Sequence, residues 1–463
     1  MAFVTDSWKT WLWRSLITAA IIIVIAACFY AEENSRGVSA WQKCERELAV
    51  RGESMDWNDY IPAPVPDEKN FYKAPMMTEW FVKGTNLSAS SSPNLLPVTT
   101  PETTANVITE ITASNYVAWC AAFEPGFDLI RTALKRPLAR LDGDYSRPFK
   151  QPMPNFVSYR LVTQTLAHRA KCYLLLGESE KALADLTLLH NLNLVLVKGG
   201  RPNTLVNSMI HVAISGLYAD AVACGLQSRS WDEPELTILQ KQLAEINLLP
   251  EVAYSFRAER VGVCQMLDTM TPEQLMQVIN GSTRQVSDLG WWLMPSGWIQ
   301  QNKAIIATSE GRMLASMNLA SNTVSPRVAL AAAHAIEENF LRVTPWNFIA
   351  AMCMPNFNKA EQAMARNQTW SDQAQIVCAL ERYRLANGKY PATLAALAPQ
   401  FIEKIPHDVI GGKPMNYSRT DDQNFKLYSV GWNETDDGGI TAFGSDGNED
   451  RESGDWVWRY PTQ

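Results

Sequence analysis

A chain of 463 residues with 46% apolar and 19% charged residues has room for two to four domains and is too apolar to be disordered. Its formal charge of −7 offers no basic face, so nucleic acid is excluded as an expected partner. The charge is also local: residues 433–455 hold eight carboxylates (Glu434, Asp436, Asp437, Asp446, Glu449, Asp450, Glu452, Asp455) against Arg451, so this segment alone sums to −7 and the rest to zero.

Residues 11–30 form an apolar stretch of about 20 residues, the length of one membrane span at about 1.5 Å per residue. Trp11 and Trp13 stand where interfacial aromatics belong. Lys9 and Arg14 precede the uncharged core and Glu32 and Glu33 follow it, so the positive-inside rule places the N-terminus in the cytoplasm and the bulk of the chain in the periplasm. An uncleaved, single-pass inner-membrane anchor is expected. The alternatives are lipidation at Cys28, because Ile25-Ala26-Ala27-Cys28 resembles a lipoprotein cleavage box, and ordinary signal cleavage.

Residues 39–51 have a helical pattern that continues the anchor outward. Prolines then recur at 62, 64, 66, 75, 93, 97 and 101, which predicts an extended stalk. Trp57, Tyr60, Phe71, Tyr72, Trp80 and Phe81 interrupt it, so the stalk is expected to lie against a folded body. From about residue 105 to 344 the pattern is helical. Tyr173 to Leu186, turning at Gly177 with Ala182 at the crossing, looks like the centre of a tetratricopeptide repeat. Only one copy is convincing, so an αα-hairpin in an irregular bundle is the plainer expectation. Further helices are expected at 203–226, 233–246, 252–266 and 272–279, with an aromatic turn at 290–298 packed between helices, contact with lipid or a partner being the alternative.

The eight cysteines stand singly, without a C-x-x-C pair, and are expected mainly as small core residues. The five histidines are far apart, and His334-Ala-Ile-Glu-Glu338 lacks the second histidine of a zinc-protease motif. No nucleophile elbow, P-loop or dinucleotide fingerprint is present in the sequence.

The last 90 residues read as helix, turn, short helix, hairpin and acidic loop. Ile376, Ala379, Leu380 and Tyr383 share one helix face, and Asn387-Gly388 supplies a C-cap. Extended pieces at 413–419 and 425–430, joined by the polar turn 420–424, predict a β-hairpin. Asp446-Gly447-Asn448-Glu449-Asp450 matches the start of an EF-hand loop, but Arg451 and Val457 replace the glycine and glutamate that such a loop needs. A non-EF calcium loop pinned by Trp456 and Trp458 is expected, with a solvated acidic loop as the alternative.

The ordered series Ala379 to Pro391, Ile405 to Asp408, Gly412 to Pro414 and Leu427 to Gly431 resembles the globular part of the major pseudopilin of type II secretion. The likeness covers about 85 residues. It implies calcium on the loop after the second strand, at Asp436, Asp437 and Asp455, with Asp446, Asn448 and Asp450 as further candidates. The chain departs from the pseudopilins at its N-terminus, which lacks their Gly-Phe-Thr-Leu-Ile-Glu start, and in the roughly 340 residues before the module. As a whole it resembles large envelope proteins of planctomycete and verrucomicrobial type with such a module at the C-terminus.

The expected fold is therefore mainly α: a transmembrane helix, an irregular helical bundle with a tetratricopeptide-like hairpin, and a small α+β pseudopilin-like module. The expected divisions are 1–36 (cytoplasmic tip and anchor), 37–104 (membrane-proximal helix and stalk), 105–370 (helical body) and 371–463 (module with acidic loop). The expected function is that of a non-catalytic, membrane-anchored envelope scaffold that binds other envelope proteins, with calcium steadying the module. An extracytoplasmic metal-dependent hydrolase using the acidic loop is the alternative.

Overall fold

The computed structural model describes residues 4–83, 109–200, 204–269, 271, 294–354, 357–445 and 447–458. Residues 84–104 of the stalk, the helix expected at 272–279, residues 290–293 of the expected aromatic turn and Asp446 lie outside these residues. The protein is mainly helical, with a few small sheets and a long apolar helix at its N-terminus. It divides into two compact units: residues 1–59, 260–311 and 334–355, and residues 60–259, 312–333 and 356–463.

The first unit is organised on α1 (Val4–Val50), one unbroken helix of 47 residues, about 70 Å long at 1.5 Å per residue. The apolar stretch and the expected membrane-proximal helix are thus a single rod. The side chains of residues 8–29 are exposed around the whole helix, including Leu16, Ile21, Ile22, Val24, Ile25 and Phe29. From Glu33 onward one stripe is buried: Glu33, Gly37, Cys44 and Leu48 recur at helical spacing. That stripe packs on α10 (Ser296–Leu314).

The two helices meet at a pair of glycines. A Cβ on Gly37 would stand 2.1 Å from the Gly297 carbonyl oxygen, and one on Gly297 would stand 2.1 Å from the Glu33 carbonyl oxygen. No larger residue fits either position without moving backbone. The carboxylate of Glu33 accepts from Trp298 Nε1 at 2.8 Å, Gln301 Nε2 at 3.3 Å and Arg36 at 2.9 Å. Lys303 on α10 ion-pairs with Asp268 at 2.6 Å and sits 4.0 Å over the Trp41 ring. A small core of Val263, Met266, Leu267, Ile306, Ile349 and Ala350 completes the unit.

In the second unit the aromatics of residues 60–83 are buried, as their number in a proline-rich stretch predicts. Phe81 stacks on Tyr159 at 4.7 Å, and the Tyr72 and Tyr159 hydroxyls bond at 3.0 Å. The body holds α3 (Glu110–Cys120), α4 (Glu124–Ala133), α5 (Phe156–Leu175), α6 (Ser179–Val195), α7 (Leu205–Gln227) and α8 (Glu233–Ala244). α5 and α6 form an αα-hairpin around Gly177, whose φ of +75° is the left-handed conformation that glycine adopts at least cost. Ala182 is fully buried at the crossing. α7 is long and apolar enough to cross a membrane, but two-thirds of it is buried in the protein, with Val212, Tyr218, Ala219, Val222 and Leu226 in the core.

The final helix, α13 (Phe357–Asn387), is 31 residues long and begins well before the expected start of the C-terminal module. It runs through the expected 370/371 division and packs on α7 and α8. Gly388 closes it, with φ +73° and its N–H bonded to the Arg384 carbonyl at 2.7 Å. The expected hairpin follows as β3 (Asn416–Arg419) and β4 (Phe425–Ser429). β7 (Trp456–Trp458) adds antiparallel to β4, with Leu427 opposite Trp458 and Ser429 opposite Trp456.

Candidate functional site: the acidic loop

The acidic segment contains more structure than its composition suggests. It folds into its own hairpin, β5 (Thr441–Phe443) and β6 (Glu449–Gly454). The strand that ends the segment supplies the anchor. Trp456 and Trp458 are fully buried, Trp458 stacks on Trp370 of α13 at 4.7 Å, and Gln373 Nε2 donates to the Trp456 carbonyl at 2.8 Å. These contacts tie the end of the acidic segment to α13.

Asp455 closes the base of the loop. It is 1% exposed, its Oδ1 accepts from the N–H of Asp437 at 3.3 Å, and its Oδ2 accepts from the N–H groups of Gly439 at 2.6 Å and Ile440 at 3.3 Å. Burial raises its carboxyl above the ordinary range; the three amides oppose this, and the Asp437 charge adds to it. Gly438 and Gly439 both take φ +75°, which turns the chain so that successive amides face one carboxylate.

The other predicted ligands have separate partners. Asp436 accepts from the Tyr428 hydroxyl at 3.1 Å and the Gly438 N–H at 3.0 Å. Asp437 accepts from Asn433 Nδ2 at 3.0 Å. Asp450 accepts from the Glu452 N–H at 3.0 Å, and Asn448 lies in the β5–β6 turn, its carbonyl accepting from Gly444 at 2.8 Å. Asp436, Asp437 and Asp455 thus share the base of the loop, while Asn448 and Asp450 belong to the outer hairpin. Among the described residues, no group of three or more histidine, cysteine or acidic side chains is arranged to hold a metal ion.

Two of the remaining acids reach outside the loop. Glu449 pairs with Arg366 of α13 at 2.8 and 2.9 Å, and Glu434 accepts from the Arg327 N–H at 3.1 Å. Arg366 also faces the Trp370 and Trp456 rings at 5.4 and 5.5 Å. Much of the segment's charge is therefore engaged by protein donors.

Sequence reasoning passed over three other polar anchors. Asp408, which the sequence offers only as the end of the Ile405 to Asp408 motif, accepts from the Ile410 N–H at 2.9 Å, the Ser429 hydroxyl at 2.8 Å and the Val430 N–H at 3.2 Å. Burial nevertheless lifts its carboxyl to about 6. Arg169 of α5 forks onto Asp185 of α6 at 2.6 and 2.5 Å and reaches Glu124 at 2.7 Å. Burial raises the Asp185 carboxyl although the guanidinium opposes it, whereas the bonds and charges of Asp185 and Glu124 outweigh burial at the arginine and hold it above its ordinary value. Glu361 is fully buried; one oxygen takes the Ser316 hydroxyl and the other has no hydrogen-bond partner among the described residues, and burial raises the carboxyl to about 8.

Comparison with family models, with curated proteins and with solved structures gives no match.

Proposed function

We propose that this chain is a single-pass envelope protein, held in the inner membrane by residues 11–30, that acts outside as a non-catalytic scaffold for other envelope proteins. The observation that carries the anchor is the apolar surface of α1. Residues 16–29 leave their large side chains exposed on every face of a helix, which is stable in lipid and costly in water. The scaffold reading is supported by a body built of paired helices, whose surfaces suit protein contacts. It is also supported by the conversion of the acidic segment into a pinned, hydrogen-bonded structure.

The pseudopilin-like reading of the module draws on the order helix, Gly388 cap, hairpin and acidic loop. Calcium would be held at the base of the loop, where Asp437 and Asp455 come together and repel. Hard oxygen donors suit it there, and it would remove that repulsion.

Lys9 and Arg14 before the apolar run, and Glu32 and Glu33 after it, orient the chain with its N-terminus inside. Protease added to intact spheroplasts should digest the body, and Cys28→Ser should change neither mobility nor membrane retention. A body protected until the membrane is breached sinks the topology. A larger, unprocessed Cys28→Ser product would make the chain a lipoprotein.

A further inference from the structure

The loop at 341–346 exposes apolar side chains although it is held in a fixed shape. Leu341 is 80% exposed, Val343 67% and Trp346 42%. Asn347 shapes the loop: its Nδ2 donates to the carbonyls of Asn339 at 2.9 Å and Arg342 at 3.0 Å, and its Oδ1 accepts from the Thr344 N–H at 2.6 Å. Asn302 of α10 ties down its far end, donating to the Pro345 carbonyl at 3.5 Å and accepting from the Ala350 N–H at 2.9 Å. A loop satisfied in this way does not expose its apolar residues for want of order.

A chain of rings fixes where the loop lies. Trp346 packs edge-on against Trp298 at 6.4 Å, and Trp298 packs edge-on against Phe29 of α1 at 6.3 Å. Phe29 is the last residue of the exposed apolar run and precedes Tyr30, where the expected span ends. The loop is therefore level with the point at which α1 would leave the hydrocarbon. Its make-up of tryptophan, aliphatic residues and the exposed Arg342 is that of a membrane-interface element, with amphipathic rings at the headgroups and a cation for the phosphates.

We infer that residues 341–346 form a second membrane contact, in which Leu341, Val343 and Trp346 enter the interface of the bilayer that α1 spans. The occupant is phospholipid, because the patch continues the lipid-facing surface of α1. The inference rests on the anchor reading above.

The test places the photocrosslinker benzoylphenylalanine singly at Ile22, Val343 or Glu47 of the full chain. Each protein is reconstituted in phosphatidylcholine–phosphatidylglycerol vesicles containing a tagged phospholipid. Glu47 is exposed, 18 residues beyond Phe29 on α1, and so about 27 Å further along the rod. Lipid capture at 22 and 343 with none at 47 is the expected result. Capture at 22 without capture at 343 overturns the second contact and leaves the anchor standing. No capture at 22 overturns the anchor and this contact with it. A crosslinked protein dimer at 343 in place of lipid makes the patch a protein interface and also overturns the proposal.

Discussion

Asp185 and Asp455 are both closed to solvent, and the protein satisfies them by opposite means. Asp185 meets a guanidinium across a helical hairpin, charge against charge. Asp455 meets three backbone amides within one turn of chain, charge against dipoles. The first arrangement depends on two side chains and the packing of α5 on α6. The second depends on backbone shape, and so on glycines at 438 and 439. A buried ion pair has a single point of failure, whereas an amide nest spreads the load.

The sharpest way to break this comparison is Asp185→Ala. It leaves Arg169 buried with only Glu124, whose side chain is 41% exposed, and should cost about 3–5 kcal/mol in a urea titration. Replacing the pair together, Arg169→Met with Asp185→Leu, should restore most of that loss, because an apolar pair of similar volume avoids the desolvation of both charges. A double variant as unstable as the single one would contradict this account. Asp455→Ala should cost less, about 1–3 kcal/mol, by orphaning three amides near the surface. Asp455→Asn, which keeps one acceptor oxygen, should fall between alanine and the native residue.

The third prediction concerns Glu361, which among the described residues has no ion-pair partner and a single hydroxyl donor, and so lacks both solutions. Its carboxyl is raised in the folded protein from 4.5 to about 8. The folded state therefore holds the proton more tightly than the unfolded one. Its contribution to stability is fully present below pH 4.5 and is lost as the pH rises through about 8. The unfolding free energy should fall across that window at up to about 1.4 kcal/mol per pH unit, and Glu361→Gln should flatten the slope. An equal slope in the variant would assign it elsewhere.

The smallest effect expected is that of calcium. Binding to the native state alone adds about 0.4 kcal/mol when calcium equals Kd and about 1.4 at a tenfold excess. The full chain should melt slightly higher in calcium than in chelator, with magnesium a poor substitute. Asp437→Ala should abolish the difference with little effect on the melting temperature in chelator. A melting temperature that is the same in calcium and chelator would leave Asp455 as a backbone clamp and nothing more.

These contrasts also explain what the sequence disclosed. The apolar run, the Gly177 and Gly388 turns and the β3–β4 hairpin were legible because hydrophobic spacing and glycine carry local signals. The outward continuation of α1 was legible too, from the helical pattern of residues 39–51, whereas the burial of Glu33 was not, because it depends on the partner helix that covers it. The β5–β6 hairpin was hidden because Glu449 to Gly454 is too acidic to read as a strand; its pairing comes from the turn at Gly447 and the clamp at Asp455. Buried charges were missed because a side chain's burial depends on what faces it. A trace was nonetheless present. Asp185 falls on the stripe of Ala182, Leu186 and Leu189, and Glu361 on that of Phe357, Ala360, Met364 and Ala365, so each interrupts an otherwise apolar face. A charge on such a stripe is a reason to look for its partner.

The glycine contact between α1 and α10 has a mechanical consequence. Because Gly37 and Gly297 lock the outer half of α1 to its neighbour, no hinge lies between the apolar run and the rest of the first unit. From Glu33 to Val50 the rod is 18 residues long, or about 27 Å. A tilt of about 20°, typical of spanning helices, swings its far end sideways by about 9 Å. Under the proposed anchoring, tilt would answer to hydrocarbon thickness, and the rod would turn a change in bilayer depth into lateral travel of its far end.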